Sequence, residues 1–413
     1  MLQPVAVGHK SLADYTHLVG RPLVEEIREL AEQLQGLKVL HLSATAFGGG
    51  VSEILYTLVP LMRDVGVEAE WQIMIGREEF YNVTKLMHNS LQGSDQVISE
   101  DEWIVYEKFN RINAVELSEG WDVIIVHDPQ PAAVMQHVRE KARKWVWRCH
   151  IDLSTPNPET IERLVPLVRE YDDAVFHLRS YVPPALNGSN GQKIHICPPA
   201  IDPLSPKNMA LSPEDAAFVC DQFGVDVDRP LICQVSRFDP WKDPIGVIDA
   251  YRQVTEELPE VQLALVGSMA TDDPEGWEFF NSTLEYAQGD PDIKILNNLN
   301  NVGAIEVNAF QSQADVVIQK STREGFGLTV SEALWKARPF IGGDVGGIPL
   351  QVKDGETGFL VSSPQECAER SLEILKEPEL GKRLARAGKE HVRQHFLTPR
   401  LLRDWLRIFS DSA

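Results

Sequence analysis

The chain lacks, between Met1 and Arg21, the positively charged stretch, apolar core and small-residue cleavage site of an export signal. Long hydrophobic runs are missing too, since every apolar stretch is short and broken by charge, so nothing is expected to span a bilayer. Cysteine is scarce and scattered: Cys149, Cys197, Cys220, Cys233 and Cys367 form no close pairs, which excludes a disulfide framework or zinc site by spacing and leads us to expect buried thiols in a reducing cytoplasm. Positive charge is in deficit. Lys plus Arg number 39 against 61 Asp plus Glu, a net charge of -22, which argues against extended contact with nucleic acid or an anionic membrane. An anionic small ligand then requires a locally basic pocket. No Walker loop, nucleophile elbow or short internal repeat is present.

At 413 residues the chain exceeds what one core usually supports, and two domains are expected. Short β-branched runs alternate with helical stretches, the pattern of α/β domains with doubly wound parallel sheets. Strands are expected at Lys38 to Leu42, Ala69 to Ile75, Val123 to Val126, Trp145 to Arg148, Ala174 to His177 and Lys193 to Cys197. Four prolines in the nine positions from Pro198 to Pro206 then interrupt both helix and strand, marking a linker. Alternation resumes at Leu231 to Val235, Gln262 to Val266, Lys294 to Leu296, Val316 to Ile318 and Phe340 to Ile341. The reading divides the chain into residues 1–198, 199–390 and a helical tail 391–413 able to pack on either domain. Ligands of such sheets bind beyond the carboxyl ends of the strands, so two facing domains would hold theirs in a cleft.

The most informative stretch is Arg323-Glu324-Gly325-Phe326-Gly327-Leu328-Thr329-Val330-Ser331-Glu332. Its glycines free backbone N–H groups at a helix start, where they attract a phosphate. Glu324 lies before the helix and Glu332 is placed in its first turn, so two carboxylates can accept hydroxyl hydrogen bonds on opposite sides of that phosphate. A nucleotide sugar has this layout of ribose, diphosphate and hexose.

Other motifs agree with it. Gly48-Gly49-Gly50 follows the first strand and opens a helical run, which lets the backbone approach an anion or a sugar; ordinary tight turns have the same glycines, and the third glycine of the dinucleotide fingerprint is absent. Arg237 and Lys242 sit at a strand end in an acidic chain and suit a diphosphate clamp, with ion pairs to Asp239 or Asp243 as the plain alternative. Gly267 ends a strand where a base or ribose could pass the backbone, and a turn would need it equally. His127-Asp128-Pro129-Gln130 and Cys149-His150-Ile151-Asp152 end two further strands, placing a histidine and an aspartate where an acceptor hydroxyl or a hexose could be oriented. Asp226-Val227-Asp228, Asp172-Asp173 and Asp272-Asp273 read as solvated turns, and His391 with His395 lacks the glutamate of a metalloprotease helix.

Gly48 to Gly50, His150, Arg237 with Lys242, and Glu324 with Glu332 together resemble the retaining glycosyltransferases of the two-Rossmann-domain GT-B class, in the family of sucrose and trehalose synthases. The phrases HLSATAFGGGVSEIL, VHDPQP, WRCHIDLS, QVSRFDPWK, DDPEGW and REGFGLTVSEALW are similar to trehalose glycosyltransferring synthases, with trehalose phosphorylases as close relatives. The resemblance implies that Arg237, Lys242 and the backbone of Gly325, Phe326, Gly327, Leu328 and Thr329 hold the donor diphosphate. It implies that Glu332 takes the ribose, Glu324 the transferred glucose, and that His150 stands near the reacting face. Gly49, Gly50 and Gly267 fall on the donor side, and Asp128, Gln130 and Asp152 on the acceptor side. Many members have glycine where Asp243 follows the clamp lysine, which puts the conformation of this loop in question.

The implied reaction is transfer of glucose from a nucleoside diphosphate to free glucose, with retention, giving trehalose. Its partners are small molecules: a nucleotide sugar, glucose and trehalose. No motif requires a cofactor; a magnesium ion beside the diphosphate and a homodimer are both compatible. Rival readings are a trehalose phosphorylase using glucose 1-phosphate, a nicotinamide-dependent oxidoreductase, and a sugar-nucleotide sensor without turnover.

Overall fold

The computed structural model describes residues 2–186, 191–269 and 274–411. The chain forms two compact units, one of Met1–Ala200 with Thr398–Ala413 and the other of Ile201–Leu397. The crossing at Ala200–Ile201 lies inside the proline-rich stretch. The division placed after residue 390 falls instead within the helix Pro378–His395, whose buried positions Leu384, Ala385, Gly388 and Val392 continue without interruption. Phe396 and Leu397 follow, and the last helix, Thr398–Ser410, joins the first unit.

The first unit contains a seven-stranded sheet. Its strands are β1 (Gln3–Pro4), β2 (Lys38–Ser43), β3 (Glu68–Ile73), β4 (Trp121–His127), β5 (Ala142–Arg148), β6 (Asp173–Phe176) and β7 (Lys193–Ile196), in the order β1-β3-β2-β4-β5-β6-β7. All pairings are parallel except that of β1 with β3. Parallel strands covered on both faces need continuous apolar runs: Leu40, Leu42, Ile124, Val126, Trp145 and Trp147 fill the core on one face, and Val39, Ile125 and Val146, between and beside them, are buried on the other. Helix Thr398–Ser410 packs against helices Arg21–Glu32 and Gly50–Asp64 of this unit. Arg400 anchors it by donating to the carbonyls of Pro198 (2.9 Å) and Pro199 (2.7 Å).

The second unit contains six parallel strands: β8 (Leu231–Val235), β9 (Gln262–Val266), β10 (Ile293–Leu296), β11 (Val316–Gln319), β12 (Phe340–Gly343) and β13 (Phe359–Val361), in the order β10-β9-β8-β11-β12-β13. The chain runs outward from β8 to one edge, then returns to β11 and fills the other. With right-handed crossovers this lays helices on both faces and makes a doubly wound Rossmann-like sheet. Ile232, Leu263, Leu265, Ile318 and Ile341 occupy its core.

Strands β1 and β13, absent from the sequence reading, have only two and three residues, too few for periodicity to register. Asp272 and Asp273 lie outside the described residues. Asp226 makes a turn, its side chain accepting from the Asp228 N–H at 3.2 Å. All five cysteines are buried and free. Among the described residues no helix is long and apolar enough to cross a membrane.

Candidate functional site

A doubly wound sheet leaves a crevice where its strand order reverses, because the loops leaving the two central strands part in opposite directions. In the second unit β8 pairs with β11 at this point. The loop after β8 carries Arg237 and Lys242, and the loop after β11 carries Glu324. The Lys242 ammonium lies 2.6 Å from a Glu324 carboxylate oxygen, to which the Ser321 hydroxyl also donates at 3.3 Å. The structure thus joins two residues 82 positions apart into one partly buried ion pair. Arg237 is 65% exposed and pairs with Asp239 at 3.1 Å. Asp239 also accepts from the backbone N–H groups of Trp241 (3.0 Å) and Lys242 (3.1 Å), fixing the turn that presents both cations.

Asp243 answers the question raised by the missing glycine. It has φ +48°, a left-handed conformation that aspartate tolerates better than most residues. Its carboxylate accepts from the Gly246 N–H at 3.0 Å, capping helix Pro244–Glu257, and pairs with buried Lys320. The turn that glycine would allow is retained and braced.

Beyond Glu324 the chain passes through Gly327 at φ +79° into helix Leu328–Trp335, whose first turn has no side-chain cap. Glu332 is the fifth residue of this helix, past the first turn in which the sequence reading places it. It is only 1% exposed, with the Lys207 ammonium 3.5 Å from its carboxylate. Lys336 donates to the Glu332 carbonyl at 3.3 Å and to Asn208 at 3.1 Å. Burial brings the Lys336 ammonium down to about 8, opposed by the Glu332 carboxylate.

Gln351 and Gly347, outside every motif, hold this glycine loop. Fully buried Gln351 donates to the Phe326 carbonyl at 2.5 Å and to the Gly327 carbonyl at 3.3 Å, while Ser331 donates to Gln351 at 2.5 Å. A Cβ on Gly347 would lie 2.7 Å from the Gly325 carbonyl oxygen and from the Phe326 Cα. Gly347→Ala is therefore expected to displace the loop, at about 1–3 kcal/mol of stability, and to weaken binding of a nucleoside diphosphate. Urea unfolding and calorimetric titration with the nucleotide check it, and unchanged binding would separate Gly347 from the site. Gly267 is small for a packing reason: a Cβ there would come within 2.5 Å of the Phe238 ring and 2.6 Å of the Ser236 carbonyl.

In the first unit the strand order reverses between β2 and β4. The loop after β2 contains Gly48 (φ +66°) and Gly49 (φ +119°), and helix Gly50–Asp64 begins directly after them. Asp128, just past β4, has φ +67° and accepts the His150 backbone N–H at 2.6 Å. Burial pushes the Asp128 carboxyl up to about 7, against the pull of that hydrogen bond and of Arg148. Gln130 is half-buried and its carbonyl accepts from Asn110 at 3.1 Å, while Asp152 is buried and caps the turn to Ser154 at 2.8 Å.

His150 belongs to a larger array. His41 and His127 approach ring nitrogen to ring nitrogen at 3.0 Å, His127 and His150 at 2.9 Å, and His177 stands edge-on to His150. Sequence alone points to His127 and His150 and gives no signal for His41 and His177. Their positions on neighbouring strands are visible only once strand order is known. Burial depresses all four imidazoles, His41 to about 3 and the others well below the usual range.

Such rings stay neutral in the folded chain and become charged in the unfolded one. Stability is then lost as pH falls through about 6.5, by about 1.4 kcal/mol per pH unit for each fully buried ring. Asp128 acts in the opposite sense, because its folded carboxyl takes a proton near 7. The first unit is expected to unfold at lower urea at pH 5 than at pH 7, with a smaller difference in His177→Phe. Equal differences in the two proteins would remove His177 from this account.

Shape alone does not find these residues. Two hollows on the first unit, one lined by Lys38, Arg63 and Trp121 and the other by Arg139, Lys144 and Lys193, lie at the amino ends of its strands. The residues described above lie at the carboxyl ends, where an α/β sheet binds its ligand.

Comparison with known proteins finds relatives along nearly the whole chain. Residues 41–183 match the description "Trehalose synthase, N-terminal domain", and residues 219–391 match "Glycosyl transferases group 1". Trehalose synthase of Rubrobacter xylanophilus is 57% identical, with 99% of each chain covered, and that of Pyrococcus horikoshii is 48% identical over 98% of this chain and 97% of the relative. Trehalose phosphorylase of Pleurotus pulmonarius is more distant, 25% identical over 96% of this chain and 60% of its own. Among solved structures, an α,α-trehalose-phosphate synthase (UDP-forming) from Burkholderia xenovorans superposes with a TM-score of 0.71 at 14% identity, covering 90% of this chain and all 100% of that one. That likeness shows the GT-B fold.

Proposed function

Because the chain belongs to the trehalose synthase family of glycosyltransferases, we propose that it moves glucose from a nucleoside diphosphate to free glucose and forms trehalose with retention. The observation that carries this reading is the Lys242–Glu324 pair beside Arg237, a cationic turn at the reversal point of a chain whose net charge is -22.

Breaking the bond to the anomeric carbon leaves negative charge on the departing diphosphate and cationic character on the sugar. Arg237, Lys242 and the uncapped helix start at Leu328 would take up the former, an electrostatic stabilisation set in place before reaction. Glu324, already held by Lys242 and Ser321, would accept hydroxyl hydrogen bonds from the glucose, and Glu332 would take the ribose. Double displacement needs a carboxylate nucleophile at the anomeric carbon. With Glu324 and Glu332 used for binding, we favour a front-face displacement in which the departing phosphate deprotonates the acceptor hydroxyl. His150 would stand by the transferred sugar, with Asp128, Gln130 and Asp152 on the acceptor side.

A product assay with UDP-, ADP- or GDP-glucose and glucose tests the reading. Trehalose is expected from at least one donor. Trehalose formed only from glucose 1-phosphate would instead assign a phosphorylase, the activity named for the more distant relative. With two cations and a helix start available for the diphosphate, turnover is expected to persist in EDTA. A rate that vanishes there and returns with magnesium would transfer part of this work to a metal ion.

A further inference from the structure

The histidine array is more regular than a chance cluster of core imidazoles. His41 is on β2, His127 ends β4 and His150 follows β5, three strands adjacent in the sheet. Ring centroids are 5.2 Å apart at both links, with interplanar angles of 26° and 20°. Around N···N distances of 3.0 and 2.9 Å, that separation leaves only the ring radii, so the rings meet edge to edge with each N–H directed at the next nitrogen.

A neutral imidazole has one N–H and one lone pair. Each link needs one of each, so the protons of all three rings must point the same way along the chain. Two arrangements satisfy both links. They differ at the buried end, where His41 Nε2 lies 3.5 Å from the Met62 sulfur. A thioether only accepts, so this contact is a hydrogen bond only when His41 carries its proton on Nε2. Its Nδ1 then accepts from His127 Nε2–H, and His127 Nδ1 accepts from His150 Nε2–H.

Resting on the reading that His150 faces the transferred sugar, we propose that Met62, His41 and His127 are positioning residues: the chain they form holds His150 as the Nε2–H tautomer, whose Nδ1 offers a sugar hydroxyl a lone pair and no proton. The Asp128 carboxylate, accepting the His150 N–H at 2.6 Å, fixes the backbone from which the ring projects. His150 then orients a hydroxyl group and does not protonate a leaving group.

The test is NMR of the whole protein labelled with ¹⁵N and ¹³C in histidine. At pH 7 the three rings are expected as Nε2–H tautomers, and His150 protonated on Nδ1 would overturn the proposal. In Met62→Leu the buried His41 N–H loses its acceptor, an unfavourable state, so the Nδ1–H form is expected to grow in all three rings together. A fall of about tenfold in kcat/KM should accompany it, comparable with losing one hydrogen bond. Unchanged tautomers in Met62→Leu would overturn the assigned direction, and if this variant fails to fold, the measurement on the unaltered protein decides alone. The two readings fail separately: Nε2–H at His150 without trehalose synthesis removes the proposed function, whereas synthesis with Nδ1–H at His150 removes the chain.

Discussion

Lys242→Ala is expected to lower kcat/KM by roughly a hundredfold to a thousandfold, the usual loss when one preorganised charge-stabilising group is removed. In the proposed reaction the effect should fall mainly on kcat, because negative charge would grow on the diphosphate as its bond to glucose breaks. A second consequence is separable from the first. Glu324, only 9% exposed, would keep the Ser321 hydroxyl but lose the Lys242 cation, and because the pair is partly buried the cost should fall below the roughly 3–5 kcal/mol of a fully buried one. Glu324→Gln removes that buried charge. In Lys242→Ala/Glu324→Gln, stability should recover relative to Lys242→Ala while turnover stays low. Urea unfolding and steady-state kinetics on the single and double variants check both parts. Full turnover in Lys242→Ala and in Glu324→Gln would show the assignment of both residues to be wrong.

Glu332→Ala should act on binding. If its carboxylate holds the ribose through charge-assisted hydrogen bonds, of about 1.5–3 kcal/mol each, KM for the nucleotide sugar rises roughly tenfold to a hundredfold while kcat changes little. The variant also leaves Lys207 without its carboxylate at 3.5 Å and removes the charge that holds the Lys336 ammonium up. Initial rates over a range of nucleotide-sugar concentrations separate the two parameters. A loss confined to kcat would move Glu332 from the ribose to the reacting centre.

The strand ends of this chain are readable from sequence because parallel strands are short apolar runs bounded by glycine, proline and charge. Arg237, Lys242, Glu324 and His150 could therefore be placed on the correct loops before strand order was known. What holds them could not be read. Gln351 reaches the glycine loop from 24 or 25 residues away, and Lys320 reaches Asp243 across 77. Such contacts leave no periodic trace, and neither do His41 and His177, which look like ordinary core residues until β2, β4, β5 and β6 are set side by side. The expected division after residue 390 and the unit boundary at Leu397–Thr398 differ for a related reason. Helical periodicity runs through that position to His395, while the choice of the first unit for Thr398–Ser410, one of the two placements open from sequence, depends on Arg400 and two distant proline carbonyls.

The central claim is glucosyl transfer from a nucleotide to glucose, and an isotope experiment addresses it most directly. The protein is incubated with nucleoside diphosphate glucose labelled with ¹³C at the anomeric carbon and with unlabelled glucose, and the labelled carbon is followed by NMR. The account predicts that the label moves into one ring of α,α-trehalose as one nucleoside diphosphate is released per disaccharide. Label recovered only as free glucose, or left in the donor while glucose 1-phosphate alone supports trehalose formation, would contradict it.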